Sequence, residues 1–453
     1  MSSIDTVLNY AKSVKIDECE AIFCQSKVTT IRITDSEIAE VKQNYEKKLG
    51  VRIIHQKKIF GSESTILENP ASIVDSALRL ASFQNPKMFW KSLPFQLKKE
   101  SLERLYDKRL AEISGNKAAD IAQQMINAAS DKKVTSITGS LNIVSEKFEL
   151  GNSNGLRCTD DATYIAGTIN ADSDIGSMGV SGIGHASCRT LDAFDPDIVG
   201  DDAKSMCVDS INPQRCDEGE YSIIFEPYSV GEILSFVFAS NFNLKTYSEK
   251  RSCFSGMLGS KIAVDGFNVL DDPHAKEGIG SKSFDDEGVA TQVRPLIENG
   301  VFKNVYSDLF DAYKEEKGSS GNASREGSPM GRDSQPIPQS APHNLHLTGG
   351  KMSRDEIIKE TKRGLLIGRL WYTYAVNPIK GDFSCTARSG VRIIENGKIK
   401  SPGRSFRIVH NLPLLLQNIS AVGDDEKNVL QWASLPSIVP TIRADGIKIT
   451  PIV

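Results

Sequence analysis

Residues 364–398 read GLLIGRLWYTYAVNPIKGDFSCTARSGVRIIENGK. The stretch opens apolar and β-rich, with Leu365, Leu366, Ile367, Leu370, Trp371, Tyr372, Tyr374 and Val376. Asn377-Pro378 and Gly381-Asp382 then supply turn chemistry. A second strand pattern at Val391, Ile393 and Ile394 stops at Asn396-Gly397, a strong hairpin signal. The stretch predicts a buried antiparallel meander inside a large β-rich domain.

Working outward, the preceding region 221–310 begins with a strand at Ser222–Phe225. It continues into an apolar helical stripe of Val230, Ile233, Leu234, Val237 and Phe238. Glu315–Ser340 is rich in Gly, Ser and Pro and reads as a flexible loop or linker. Ser353 with Glu356 predicts a capping box for a short helix, and a helix through Leu412–Ile419 precedes a final strand pair.

The N-terminal part opens with an amphipathic helix (Ile4, Val7, Leu8, Ala11) capped by Ser2 or Ser3. Strand patterns follow at Glu20–Cys24, Thr29–Ile33, Ile38–Gln43, Leu49–His55 and Ile59–Ser64, and a helix starts near Asn69-Pro70. After a Pro- and Lys-containing connector come a helix at Lys117–Ala129, strands from Val134 to Asn170, and a helix after Asp195-Pro196. The expected class is α+β. Residues 1–85 form an N-terminal antiparallel sheet with helices, 86–220 a connector and small middle domain, and 221–453 a large β-rich C-terminal domain.

The formal charge of −4, from 54 basic and 58 acidic residues, shows no basic stripe and argues against nucleic-acid binding. No apolar run approaches the roughly 20 residues of a membrane span. The first residues lack the basic-then-apolar order of a signal peptide. A cytoplasmic, non-membrane protein is expected, with its eight cysteines reduced.

The run VNPIKGDFSCTARSGVRIIENGKI resembles the C-terminal signature of the TldD/PmbA family. The segments DDP…FDDEGV…LIENGV at 271–301 and KKLGVRIIHQKKIFGSES at 47–64 are similar to further family patterns, as is Ser320-Gly321-Asn322-Ala323. In the metal-bearing TldD branch, the first helix of the C-terminal domain carries H-E-x-x-x-H. Alignment on SIIFEP and the downstream FSG places Ser235 and Ser240 at the two His positions and Phe236 at the Glu position. A serine hydroxyl is a poor zinc ligand and Phe takes no proton.

The remaining candidates are sparse. His343 and His346 have H-x-x-H spacing without an adjacent acid and read as polar loop residues. Cys385 with His410 is a conceivable nucleophile pair that no spacing supports. Asp271-Asp272 and Asp285-Asp286-Glu287 are expected to bond loop amides, since neighbouring side chains of an extended strand diverge.

The resemblance implies a TldE (PmbA)-like subunit with no metal or other cofactor of its own. It would pair with a TldD-type subunit that holds zinc and cuts unfolded peptides. Asn377, Asp382 and Arg388 are candidate cleft or interface contacts, or turn-fixing residues. Two alternatives stand beside this: a stand-alone regulatory protein of the gyrase-modulator type, and a hydrolase with an unrecognised site.

Overall fold

In the computed structural model, residues 2–95, 102–103, 105–430 and 435–452 are described. Strand outweighs helix, 41% against 22%, and the chain is α+β.

The first strands are longer than their sequence patterns. Glu18–Thr34 and Glu37–His55 form one hairpin, paired in register from Glu18↔Ile54 to Thr34↔Glu37. Four short strands were expected because Gln25–Lys27 and Asn44–Lys47 are polar. The ladder runs through them without a break, because polar side chains on a solvated face cost the pairing nothing. Asp35 and Ser36 both have positive φ, the geometry of a primed two-residue turn.

Ser136–Asn152 then pairs antiparallel with Glu18–Thr34, and Arg157–Ser173 and Val180–Cys188 extend the same sheet. The six strands therefore form one sheet, and its hydrogen-bond ladder crosses the expected boundary at residue 85.

Helices cover this sheet by apolar faces. Ser3–Ser13, capped by the Ser2 hydroxyl, buries Ile4, Val7, Leu8 and Ala11. Gly115–Ala129 and Pro196–Val208, capped by Ser114 and Asp195, share a core with Ile143, Ile165 and Ile169. The second lies so close to the strand below that a Cβ at Gly184 would overlap the Val199 carbonyl.

The C-terminal part holds a nine-stranded sheet. Its main order is Arg369–Asn377, Asp382–Ser389, Phe406–Asn411, Ile442–Pro451, Gly219–Phe225, Arg363–Ile367, Arg392–Glu395, Lys398–Pro402. Here the expected meander is corrected. Arg363–Ile367 and Arg369–Asn377 do not pair; the first lies parallel to Gly219–Phe225 in the sheet interior, and the second is the sheet edge. The apolar run is split at Gly368. Residues 364–367 before it are buried throughout, whereas residues 371–377 after it alternate between half-buried and exposed. Asn396 and Gly397, both at positive φ, make the expected turn between Arg392–Glu395 and Lys398–Pro402.

The Gly/Ser/Pro-rich segment is not a linker. Asn322, Arg325, Arg332 and Ser334 are buried. Glu20 of the first strand accepts from Arg52 (2.9 Å) and from Arg325 (2.6 Å), and Arg52 also pairs with Glu287. Arg332 pairs with Asp286 (3.2 Å) between the rings of Phe148 and Phe284. Composition reported the small residues of this strap, whereas its two buried guanidinium groups fix its path.

The acidic run at 285–287 works within this network. Asp285 accepts from the amides of Glu287, Val289 and Ala323, Asp286 from that of Arg325, and Glu287 from that of Leu309.

Candidate functional site

The Gly219–Phe225 strand enters the helix that follows through Glu226-Pro227, with Pro227 in the first turn, where its missing N–H costs nothing. Regular α-helix covers only Pro227–Ile233. Leu234–Phe238 is a π-turn, closed by the Ala239 amide on the Leu234 carbonyl, and Ala239–Phe242 is a 3₁₀ turn. The five residues of the expected apolar stripe are all buried in one core, but the helix that carries them is not continuous α. Asn241 fixes the end of the element: its Nδ2 donates to Val237 O (2.8 Å), and its Oδ1 accepts from Cys253 N (3.1 Å).

The π-turn bears directly on the degenerate motif. Residues five apart diverge on an α-helix but come nearly above one another where bonds run i to i+5. Ser235 and Ser240 have that spacing, but only Ser235 lies within the π-turn and Ser240 sits in the 3₁₀ turn that follows. Ser235 Oγ is buried with no hydrogen-bond partner among the described residues, Ser240 is exposed, and Phe236 packs on the core.

These residues do not fit a zinc ion. Neutral hydroxyls are weak ligands and the acid position is a benzyl group. Among the described residues no group of three or more His, Cys, Asp and Glu side chains is placed to hold a metal.

Neither of the other sequence candidates is activated. Cys385 is fully buried, and burial pushes its thiol far above the ordinary range. Burial lowers the basicity of His410, whose ring lies edge-on to Phe383. The register pairs Cys385 with Ile408 and Phe383 with His410, so thiol and imidazole are only diagonal neighbours.

His343 is buried, with Nε2 against the Gly321 carbonyl (2.8 Å). His346 lies in a short strand, Leu345–Leu347, not a loop. Its acids come from distant sequence: Glu426 at 3.2 Å and Asp272 at 3.6 Å, which raise the imidazole's basicity.

The edge strand Arg369–Asn377 packs against the π-turn. Its pairing with Asp382–Ser389 slips between Trp371↔Thr386 and Tyr374↔Ser384, a bulge holding Tyr372 and Thr373. Tyr372 sits at φ 51° and is 71% exposed, a strained position for an aromatic residue. Trp371 Nε1 and Thr373 Oγ1 are buried without hydrogen-bond partners among the described residues.

At the start of this strand Glu232 Oε2 accepts from the Leu370 amide (2.7 Å). Burial pushes the Glu232 carboxyl up to about 8, against that amide and the Arg369 charge, which favour ionisation. Arg369 donates to Asn170 Oδ1 (2.8 Å) and lies 4.4 Å from the Trp371 ring, while Arg388 lies 4.9 Å from the same ring. Glu232 and Arg369 escaped sequence reasoning, although a lone acid inside the apolar run VGEILSFVF was the available signal.

The three polar candidates separate. Asn377 and Asp382 are cross-strand partners at the hairpin tip. Asn377 Oδ1 accepts from the Lys380 amide (3.3 Å) and Asp382 from Asn411 Nδ2 (2.9 Å). Arg388 lies six residues along the strand from Asp382, roughly 20 Å away at the strand's rise per residue. It lines a cavity of about 600 Å³ together with Tyr372, Thr386, Arg404, Asp172 and Asp174.

The chain matches the PmbA/TldA metallopeptidase C-terminal domain over residues 218–451, the central domain over 108–210 and domain 1 over 19–81. It is 25% identical over 456 residues to the metalloprotease PmbA of Escherichia coli O157:H7, covering 98% of this chain and 95% of that protein. A metalloprotease TldD homolog of Buchnera aphidicola is 34% identical over 182 residues, 39% of this chain and 35% of that one. TldE from Thermococcus kodakarensis shares the fold with a TM-score of 0.91 at 23% identity, over 99% of this chain and 100% of that one. A Thermotoga maritima protein named for modulation of a DNA gyrase does so at 0.86 and 22%, over 99% of both chains. The chain belongs to the PmbA/TldD metallopeptidase family and is PmbA/TldE-like within it.

Proposed function

We propose that this chain is the non-metal subunit of a two-subunit zinc peptidase. A TldD-type partner would carry the metal, and this chain would form part of the cleft that holds an unfolded peptide. One observation carries the reading: the positions of the metal motif hold Ser235, Phe236 and Ser240, two hydroxyls and a benzyl group where ligands and an acid would stand.

The division of labour follows from what remains. The free side of Arg369–Asn377 offers main-chain donors and acceptors to an extended peptide, which can add as a further strand. Trp371, Tyr372 and Tyr374 give that strand aromatic surface. Asn377 and Asp382 keep the hairpin closed at one end, and Glu232 pins the Leu370 amide at the other.

The test is to purify the chain alone and with a TldD-type subunit, then measure zinc content and cleavage of an unstructured peptide for each. Zinc and cleavage are expected only in the pair. About one zinc per lone chain together with cleavage would overturn the reading. Cleavage by the lone, metal-free chain would favour the unrecognised-site hydrolase.

A further inference from the structure

We infer that the cavity beside the edge-strand bulge recognises a carboxylate of the extended peptide, through Arg388 and Arg404. The inference rests on the peptide-docking reading above and adds a substrate class to it.

Arg388 and Arg404 are exposed, and among the described residues neither forms an ion pair. Arg404 Nε only donates to the Pro213 carbonyl (3.3 Å), and Arg388 only lies over the Trp371 ring. Asp172 and Asp174 line the same cavity from the end of Arg157–Ser173, and they too are unpaired there among the described residues. The four charges face one space of about 600 Å³, where Arg388 and Asp172 attract through space but close no ion pair.

A second cavity, of about 340 Å³, shows the contrast. Its charges are matched internally, Arg354 with Glu226 (2.8 Å), Arg392 with Asp209 (3.1 Å) and Lys427 with Asp202 (3.2 Å). That arrangement leaves no guanidinium free for a ligand.

Position links the larger cavity to the strand edge. Thr386 is the cross-strand partner of Trp371, and Thr386 and Arg388 both line the cavity. Arg388 also leans onto Trp371, which carries its guanidinium toward the edge. A peptide added beside Arg369–Asn377 would send alternate side chains to each face of the sheet, so one set lies over this cavity. The bulge at Tyr372 and Thr373 breaks regular pairing at the cavity mouth, as bulges do where a side chain must be re-aimed.

A planar guanidinium accepts a carboxylate in a two-pronged contact, which a neutral amide cannot copy. The opposing aspartates cancel long-range attraction, so preference depends on short-range contact rather than on steering. The carboxylate can come from a Glu or Asp side chain or from the peptide's own C-terminus.

The test is fluorescence anisotropy with the purified full chain and labelled unstructured decapeptides. One set is neutral with an amidated C-terminus, a second carries one Glu at successive positions with the same amide, and a third is neutral with a free C-terminal carboxylate. Either the second or the third is expected to bind about fivefold tighter than the first, and which of them does so identifies the source. Arg388→Gln with Arg404→Gln should erase the preference between carboxylate-bearing and neutral peptides, with the thermal midpoint read beside it to show that the fold is kept. Arg388→Glu with Arg404→Glu should transfer it to Lys-bearing peptides. Equal binding of all three sets, or a preference surviving the double glutamine variant, overturns the carboxylate assignment and leaves peptide docking intact. Absence of binding by every peptide instead overturns the docking reading, and the assignment with it.

Discussion

Replacing Glu232 with glutamine is expected to make stability less dependent on pH, with the gain appearing on the alkaline side. The carboxyl is 4% exposed, and burial raises it from an ordinary 4.5 to about 8. The folded chain thus keeps a proton that the unfolded chain releases. The associated stability is complete below about pH 4.5, declines as pH rises, and is gone above about pH 8. At 1.36 kcal/mol per unit, the span corresponds to about 5 kcal/mol.

Glutamine keeps the shape and an oxygen for the Leu370 amide but has no proton to lose. The assay is the denaturation midpoint of wild type and Glu232→Gln at pH 5, 6, 7, 8 and 9. The difference should be small at pH 5, move in favour of the variant with each step, and level off past pH 8. A difference that stays constant across the range would refute the assignment of a buried, protonated carboxyl at the head of the edge strand.

Other expectations follow from single contacts. Arg325→Met leaves Glu20 with Arg52 as its ion-pair partner and should cost about 3–5 kcal/mol, read as a fall in the denaturation midpoint. Ser235→His with Ser240→His restores two imidazoles five residues apart, one in the π-turn and one in the 3₁₀ turn after it, so the double variant should take up zinc in a titration where wild type takes none. If the variant takes up no more than wild type, the two turns do not align these positions. Gly184→Ala drives a methyl into the Val199 carbonyl and should lose about 1–3 kcal/mol or more, seen as reduced soluble yield and a lower midpoint. Cys385 should resist a thiol reagent in the native protein and react only after denaturation.

Much of the local structure was legible because it rests on short-range rules. Ser2, Asp195 and Ser353 cap their helices through side-chain oxygens, and Asn396-Gly397 makes its turn. What escaped depends on partners distant in sequence. No pattern in residues 364–377 reveals that its halves occupy the interior and the edge of one sheet, since pairing with Gly219–Phe225 decides it. The polar centres of the first hairpin look like loops until Ser136–Asn152 is seen alongside. At the candidate site, family resemblance located Ser235, Phe236 and Ser240, but the π-turn beneath them is a backbone feature with no sequence signature of its own. Glu232 and Arg369 become notable only once burial and the Trp371 ring surround them.

The strap at 315–340 carries a practical consequence. Its Arg325 side chain closes an ion pair 305 residues away in sequence, on Glu20, where water does not reach. Cutting the gene near residue 220 would strand a bare guanidinium on one fragment and a half-compensated acid on the other. The two pieces expressed apart should therefore be insoluble, yet reassemble when produced together. A protease that favours glycine- and serine-rich chain should likewise pass over residues 320–325, which are buried apart from a half-buried Ser324.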